Sequence, residues 1–503
     1  MARRAALLGV IAIVFVLLAT ANSGGYRYGI GDQAFYEPAT QLRLHPDWFP
    51  RDRDLLESQA KLTAVDEGLA GASRTTGLPL PSLFLLLYVV SLVVLCLAAE
   101  QLARLLGFSS WATAAFLALL TLRHRIAKTG ANTLEGYMHP RQLAFGVGVF
   151  ALALSLKNRW AWTLALWLIA AAIHPTTACW FAALIVGGVM FEPLVRDREP
   201  AIFGGLLVAV LLARWLPHDW LPVLHVPPQW IMDRDWTDVF ADKDYIFVSQ
   251  WPGYAWFFNL AYLPIVWMIF RRRDQLRLGH PHERRIIAGV LTLFAIFVAS
   301  VFFSESRLAL AVQLQVSRIF WLIDTLAAAY IAWWLTSDPW VTGVVGRRWM
   351  PRLAVAVLAV VSIGRGFYTV GEGGPDRVLF RQAIPDDDWA RAMGWLRTQP
   401  ADWLVLADPD HAWKYGTSVR VAASRDVVLE SVKDSAISLY DRHVAMRVFE
   451  RTQSLGQFDA MSVADAQALG RQYGATVLVT EAAHQLALPQ LYANHGFTIY
   501  DLR

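Results

Sequence analysis

As far as residue 370 the chain is dominated by long apolar runs, with little alternation and few polar faces. Eleven stretches stand out, at about 5–22, 80–98, 105–122, 142–156, 160–173, 176–191, 201–216, 253–270, 286–303, 319–336 and 353–369. Each is apolar around most of its circumference, as a helix surrounded by hydrocarbon must be, and crossing the bilayer core takes roughly 20 such residues. Beyond residue 371 the pattern changes. Trp403-Leu404-Val405-Leu406 and Thr476-Val477-Leu478-Val479 read as buried strands, with further strands at Val419–Val421, Val427–Leu429 and Phe497–Tyr500. Asp386–Thr398, Ser438–Thr452 and Ala464–Tyr473 carry helical periodicity. The pattern therefore predicts a polytopic α-helical membrane protein of about eleven transmembrane helices with a C-terminal α/β domain. Its parts are a first helix over 1–22, a first loop over 23–79, a multi-helix transmembrane domain over 80–370 and a soluble domain over 371–503.

Composition agrees with this picture. Of 503 residues, 56% are hydrophobic and 17% charged, against roughly 25% charged in soluble domains. The net charge of +4 is too small to argue for a nucleic-acid partner, and membrane lipids are the expected surroundings. Short-loop cations set orientation. With the N-terminus inside, the inner segments hold Arg271-Arg272-Arg273, Arg284-Arg285, Arg347-Arg348 and Arg352 among others, in excess over the outer ones. Arg123, Arg125 and Lys128 are the local exception. The reading is N-terminus in and C-terminal domain out. Arg3, Arg4 and Ala19-Thr20-Ala21 also fit a cleaved signal peptide, which places the next segment outside as well. Cys96 and Cys179 both lie in apolar runs and read as packing residues.

Ionisable residues near a bilayer are costly and mark function. The first loop opens with Tyr28-Gly29-Ile30-Gly31-Asp32-Gln33. Asp32 follows the first apolar run by about ten residues, either as a general base, metal ligand or acceptor-binding group, or as the cap of a short helix. Asp47, Asp52 and Asp54 alternate with arginines, as in a solvated, self-paired segment; Asp52 or Asp54 facing Asp32 is the alternative. His139-Pro140-Arg141 and Ala172-Ile173-His174-Pro175 flank one hairpin of apolar runs. Their basic groups suit a phosphate, while a helix-end histidine or an interfacial arginine is the structural alternative. Arg307 and Arg318 lie on an outer stretch that would line a lipid access groove. Arg425, Lys433 and Arg442 follow a strand and flank the next helix, either reaching toward a ligand or forming surface charge.

One inner-to-outer helix, a long outer loop with an early Asp, many further helices and a C-terminal outer α/β domain resemble the C-type superfamily of membrane glycosyltransferases (GT-C), and more narrowly a bacterial branch of it. The segments carrying the likeness are Tyr28–Gln33, His139-Pro140-Arg141-Gln142-Leu143-Ala144 and Ala172–Pro175. The resemblance implies transfer of a sugar from a polyprenyl-phosphate donor to a glycan, lipid or protein at the outer face of the bacterial cytoplasmic membrane. It implies that Asp32 is the first-loop catalytic acid. Gln33, His139, Arg141, His174, Arg307 and Arg318 would bind substrate, and Asp52, Asp54, Lys433 and Arg442 would form a second tier. A divalent cation, Mg or Mn, is possible, although Gln33 stands where the superfamily's second acid is usual. A transporter or flippase of a lipid-linked or anionic compound, and a non-catalytic scaffold for a lipid-linked sugar, are the alternatives. No Walker loop, His-Glu-x-x-His or Cys-x-x-Cys motif is present.

Overall fold

The computed structural model describes residues 2–196, 198–213, 227–343, 349–374 and 378–503. Met1, residues 214–216 of one expected span, residues 375–377 of the expected soluble domain and the pair Arg347 and Arg348, expected on the inner side, lie outside the described residues. Each of the eleven apolar stretches has an α-helix over most of its described residues, with 106–109 the turn before the third: α1 (Ala2–Asn22), α5 (Leu80–Leu105), α6 (Ser110–Thr121), α7 (Pro140–Leu156), α8 (Trp160–Ile173), α9 (Pro175–Val195), α10 (Glu199–Ala213), α12 (Gly253–Gln275), α13 (Arg284–Glu305), α15 (Ile319–Ser337) and α17 (Met350–Gly371). Seven helices, counted among the described residues, are long and apolar enough to cross a membrane. α6, α7, α8 and α10 are shorter apolar helices. Large apolar side chains on α1, α8, α12 and α17 point outward, among them Ile13, Trp162, Phe257 and Phe367, which suits a hydrocarbon surround. The chain is a polytopic helical membrane protein.

The first loop is helical: α2 (Gln33–Leu44), α3 (Arg53–Ala60) and α4 (Val65–Thr76). Short pieces follow later in the chain, α11 (Arg234–Asp238), α14 (Ala309–Leu314) and α16 (Pro339–Gly343). β1 (Tyr26–Arg27), directly after α1, pairs in parallel with β4 (Phe380–Arg381), so the start of the first loop and the start of the tail are hydrogen-bonded. β2 (Arg125–Ile126) and β3 (Ala131–Asn132) form an antiparallel hairpin between α6 and α7.

The tail builds a five-stranded sheet in the order β6 (Asp426–Val427), β5 (Leu404–Leu406), β7 (Val477–Glu481), β9 (Phe497–Asp501), β8 (Gln490–Ala493). β5 runs parallel to β6 and β7, while β9 is antiparallel to β7 and β8. Around it lie α18 (Asp388–Arg397), α19 (His411–Lys414), α20 (Val419–Ala423), α21 (Ser431–Ile437), α22 (Arg442–Ser454) and α23 (Val463–Tyr473). Trp389, Met393 and Leu396 of α18 pack on Val405, Val477 and Ile499 of the sheet. α23 begins in a capping box between Ser462 and Asp465. One expected strand is overturned. Val419–Val421 is helical, because the Ser418 hydroxyl accepts the Arg420 N–H as an N-cap and turns the chain.

The alternating Asp and Arg segment of the first loop is not the solvated strip its sequence suggests. Asp52 is fully buried and receives Arg420 Nε at 2.8 Å, the Arg447 guanidinium and the Val427 N–H. Arg420 is equally buried and gives its other two nitrogens to Asp434 at 2.6 and 3.0 Å. Burial alone would raise the Asp52 carboxyl, but Arg420 and Arg447 outweigh it and hold it down at about 2. Its charge therefore supports the fold above the ordinary carboxylate range and is lost only as pH falls through about 2. Asp54 is exposed in the first turn of α3. Asp52→Asn is expected to remove about 3 kcal/mol or more by leaving Arg420 under-compensated, and Asp54→Asn to change stability by no more than about 0.5 kcal/mol. Thermal unfolding of the two variants in detergent checks the contrast.

Candidate functional site

The ends of the apolar helices, the first loop and the tail enclose a cavity of about 190 Å³ lined by Asp32, Phe35, Tyr36, Gln59, Gly130, His139, Arg141, His174, Lys243, Tyr245, Gln315, Arg318, Val432, Lys433, Ala436 and Tyr440. Six residues singled out from sequence meet here: Asp32, His139, Arg141, His174, Arg318 and Lys433.

Asp32 precedes α2 at the N-cap position, but its side chain makes no capping bond. It turns instead to the cavity, where Oδ1 accepts from Lys433 Nζ at 2.6 Å and Oδ2 lies 2.9 Å from His139 Nε2. The turn before it needs glycine: Gly31 has φ +61°, and a Cβ there would lie 2.5 Å from the Tyr137 ring.

The two His-Pro pairs have the same local logic. His139 is the N-cap of α7 and His174 of α9, each followed by proline at the first helical position. His139 Nδ1 accepts the Arg141 N–H at 3.2 Å, and His174 Nδ1 lies 3.3 Å from the Thr177 N–H and 2.9 Å from its hydroxyl. These bonds assign the proton of each neutral ring to Nε2. His139 thus donates to Asp32, and the two rings lie 6.1 Å apart.

The electrostatics follow from these contacts. Burial by itself would raise Asp32, but Lys433, then His139 and Arg141, overcome it and hold the carboxyl well below its ordinary value. Burial, reinforced by Arg141, pushes His139 down to about 3 against the pull of Asp32. His174 is also lowered, by burial and then by His139 and Arg318. Asp32 is therefore a carboxylate and both histidines are neutral near pH 7.

Arg141 bonds Glu135 and the Gly130 carbonyl, yet its Nε is buried without a partner. Arg318 packs over the Tyr245 ring at 5.2 Å. It has no carboxylate within 4 Å among the described residues, and its Nε is likewise unpartnered. Asp324, on the following helix, pairs with His124 instead. Four permanent cations line the cavity, Arg141, Lys243, Arg318 and Lys433, and Asp32 is the one carboxylate in its lining; from outside the lining Glu135 pairs with Arg141 and Asp242 with Lys243, which leaves the Arg318 charge unanswered among the described residues. Such a set takes an oxyanion. It does not fit a divalent cation. Mg and Mn take several oxygen ligands, whereas both Asp32 oxygens are bonded to basic groups and the remaining charged neighbours are positive. Among the described residues no group of three His, Cys, Asp or Glu could hold a metal.

Other residues named from sequence lie elsewhere. Gln33 is buried behind the cavity, accepting from the Gly29 N–H at 2.7 Å and donating to the Met138 carbonyl. Arg307 follows the C-cap of α13 with φ +61°, and its carbonyl accepts from the Met232 N–H. Arg442 pairs with Asp233 on the exposed side. Arg425 donates to the backbone carbonyls of residues 397, 399, 423 and 424. Asp52 serves the buried cluster with Arg420, and Asp54 faces solvent. Conversely, Tyr36, Lys243, Tyr245, Gln315 and Tyr440 line the cavity without any sequence motif to announce them.

With Lys433 removed, the largest influence holding Asp32 down is gone, and burial is opposed by His139 and Arg141 alone. The depressed carboxyl of the native protein supports the folded state above the ordinary value of 3.8 and loses that contribution only in stronger acid. Lys433→Met is expected to move this acid-induced loss to higher pH. Thermal unfolding across an acid pH series, for both proteins, reads the shift.

No family profile matches the chain, and no curated protein does. Among solved structures, the archaeal oligosaccharyltransferase AglB from Archaeoglobus fulgidus, determined with an inhibitory peptide and a dolichol-phosphate, aligns with it at 11% identity and a TM-score of 0.46, over 94% of this chain and 69% of that one.

Proposed function

We propose that this chain is a membrane glycosyltransferase that takes its sugar from a polyprenyl-phosphate donor. The observation carrying the reading is the meeting of one carboxylate, Asp32, with Arg141 and with Arg318, which has no carboxylate within 4 Å among the described residues, in a cavity at the ends of apolar helices. In the transfer, the acceptor hydroxyl oxygen bonds to the anomeric carbon while the bond from that carbon to the donor phosphate oxygen breaks. The electron pair leaves with the phosphate, and the hydroxyl proton passes to Asp32. Arg141, Arg318 and the His174 Nε2–H receive the growing phosphate charge, a task suited to donors fixed in advance.

A carboxylate held far below pH 7 is a weak base. Lys433 supplies the remedy: when its ammonium turns from Asp32 to the donor phosphate, the Asp32 carboxylate regains basicity beside the acceptor. His139 keeps Asp32 oriented meanwhile. The reading places the N-terminus in the cytoplasm, about eleven helices across a bacterial cytoplasmic membrane, and residues 371–503 as an extracytoplasmic domain. The acceptor is a glycan, lipid or protein hydroxyl.

Mass spectrometry of envelope glycans and polyprenyl-linked intermediates tests this in cells carrying the wild type, a deletion or Asp32→Asn at equal membrane levels. Asp32→Asn is expected to lower transfer by about 100-fold or more, so both mutants lose the same sugar and accumulate its lipid-linked donor. A deletion that changes the pool while Asp32→Asn matches the wild type would put transport or scaffolding in its place.

A further inference from the structure

The outer-loop cations Arg123, Arg125 and Lys128 break the charge bias of the sequence, and the Asp32 cavity uses none of them. Together with Arg365 they line a second cavity of about 450 Å³. Arg123 comes just after α6, Arg125 and Lys128 belong to the β2–β3 hairpin, and Arg365 comes from the last two turns of α17. Gly130, in the turn of that hairpin, lines both cavities. The hairpin is thus the wall between them.

The second cavity is electrically unbalanced. Asp244 is the one carboxylate in its lining and is taken by Lys128 at 2.5 Å. Arg123 approaches Glu135 only to 3.7 Å, and Glu135 is already bonded to Arg141. Arg123 Nε and Arg365 Nη1 are buried with no hydrogen-bond partner. The exposed Arg125 has no carboxylate within 4 Å among the described residues. Guanidinium nitrogens left unsatisfied at the edge of hydrocarbon are costly unless an anion completes them.

The surface beside Arg365 says what carries that anion. α17 turns Val360, Phe367 and Tyr368 outward at 68%, 78% and 63% exposure, with Val357 and Ile363 also exposed. Unmade bonds of charged donors thus stand at the head of a long apolar helix face. An amphiphile satisfies both at once.

We propose that this second cavity binds the phosphate headgroup of an anionic membrane lipid, whose chains lie along the exposed face of α17. Arg123, Arg125 and Arg365 hold the phosphate oxygens while Lys128 stays with Asp244. The proposal is independent of the transfer chemistry at Asp32, since none of these four cations lines that cavity.

Native mass spectrometry of the purified full-length chain in detergent tests it, with phosphatidylglycerol, phosphatidylcholine and inorganic phosphate as probes. Phosphatidylglycerol is expected to stay bound in preference to phosphatidylcholine and to resist excess inorganic phosphate. Arg125→Gln, a change at an exposed side chain that leaves the fold alone, is expected to weaken retention roughly fivefold, and Arg125→Gln with Arg365→Gln roughly twentyfold. The distant surface variant Arg391→Gln is expected to match the wild type. Equal retention in wild type and Arg125→Gln overturns the site. Equal retention of the two lipids, or displacement by inorganic phosphate, overturns its assignment to an anionic lipid.

Discussion

The buried guanidinium of Arg420 is the constraint on which the cavity geometry depends. It lies between Asp52 of the first loop and Asp434 of the tail helix α21, giving one nitrogen to the former and two to the latter. Asp434 is the neighbour of Lys433, so fixing its carboxylate aims the lysine at Asp32 from the opposite wall. The parallel pairing of Tyr26 with Phe380 secures the same two regions at their other end. Removing charges of this kind from water costs several kcal/mol per ion, and what the cluster supplies in return is register: a first loop and a tail helix that can meet in one way only.

Within the cavity so formed, local backbone chemistry decides which polar edges face inward. Both histidines spend Nδ1 on a helix N-terminus and are left with an Nε2–H donor. Both arginines line the cavity, Arg141 tied to Glu135 and Arg318 with no carboxylate within 4 Å among the described residues. The lone carboxylate is consumed by a lysine and a histidine. Every element of the arrangement favours a negatively charged ligand, and none offers the cluster of oxygen donors that a hard divalent cation requires.

Much of this was legible in the residues because it depends on local rules. The apolar runs became helices because a helix satisfies its own backbone groups within one segment, whatever surrounds it. The His-Pro pairs marked the two ends of one hairpin of apolar runs, and Asp32, Arg141, His174 and Arg318 stood out as ionisable groups near apolar runs. What failed to show was tertiary. Asp52 looked like part of a solvated strip because Arg420 is 368 positions away along the chain. Val419–Val421 carried a strand composition, but the Ser418 cap determined the backbone. Lys433 read as surface charge until α21 folded over the first loop. Tyr36, the pair Lys243 and Tyr245, and Tyr440 converge from three distant segments, and no spacing in the sequence records that. Gln33 drew attention as the neighbour of Asp32, yet the turn at Gly31 directs its side chain into the backbone behind.

The most direct measurement is photo-crosslinking of the purified chain with a benzophenone-bearing short-chain prenyl phosphate, followed by peptide mapping. An anion site built jointly by the first loop, the helix ends and the tail predicts labelled peptides around Tyr36, Gln315 and Tyr440. It also predicts that labelling falls in Arg318→Gln, whose guanidinium has no competing carboxylate. Labelling confined to other segments, or unchanged in Arg318→Gln, would contradict the site.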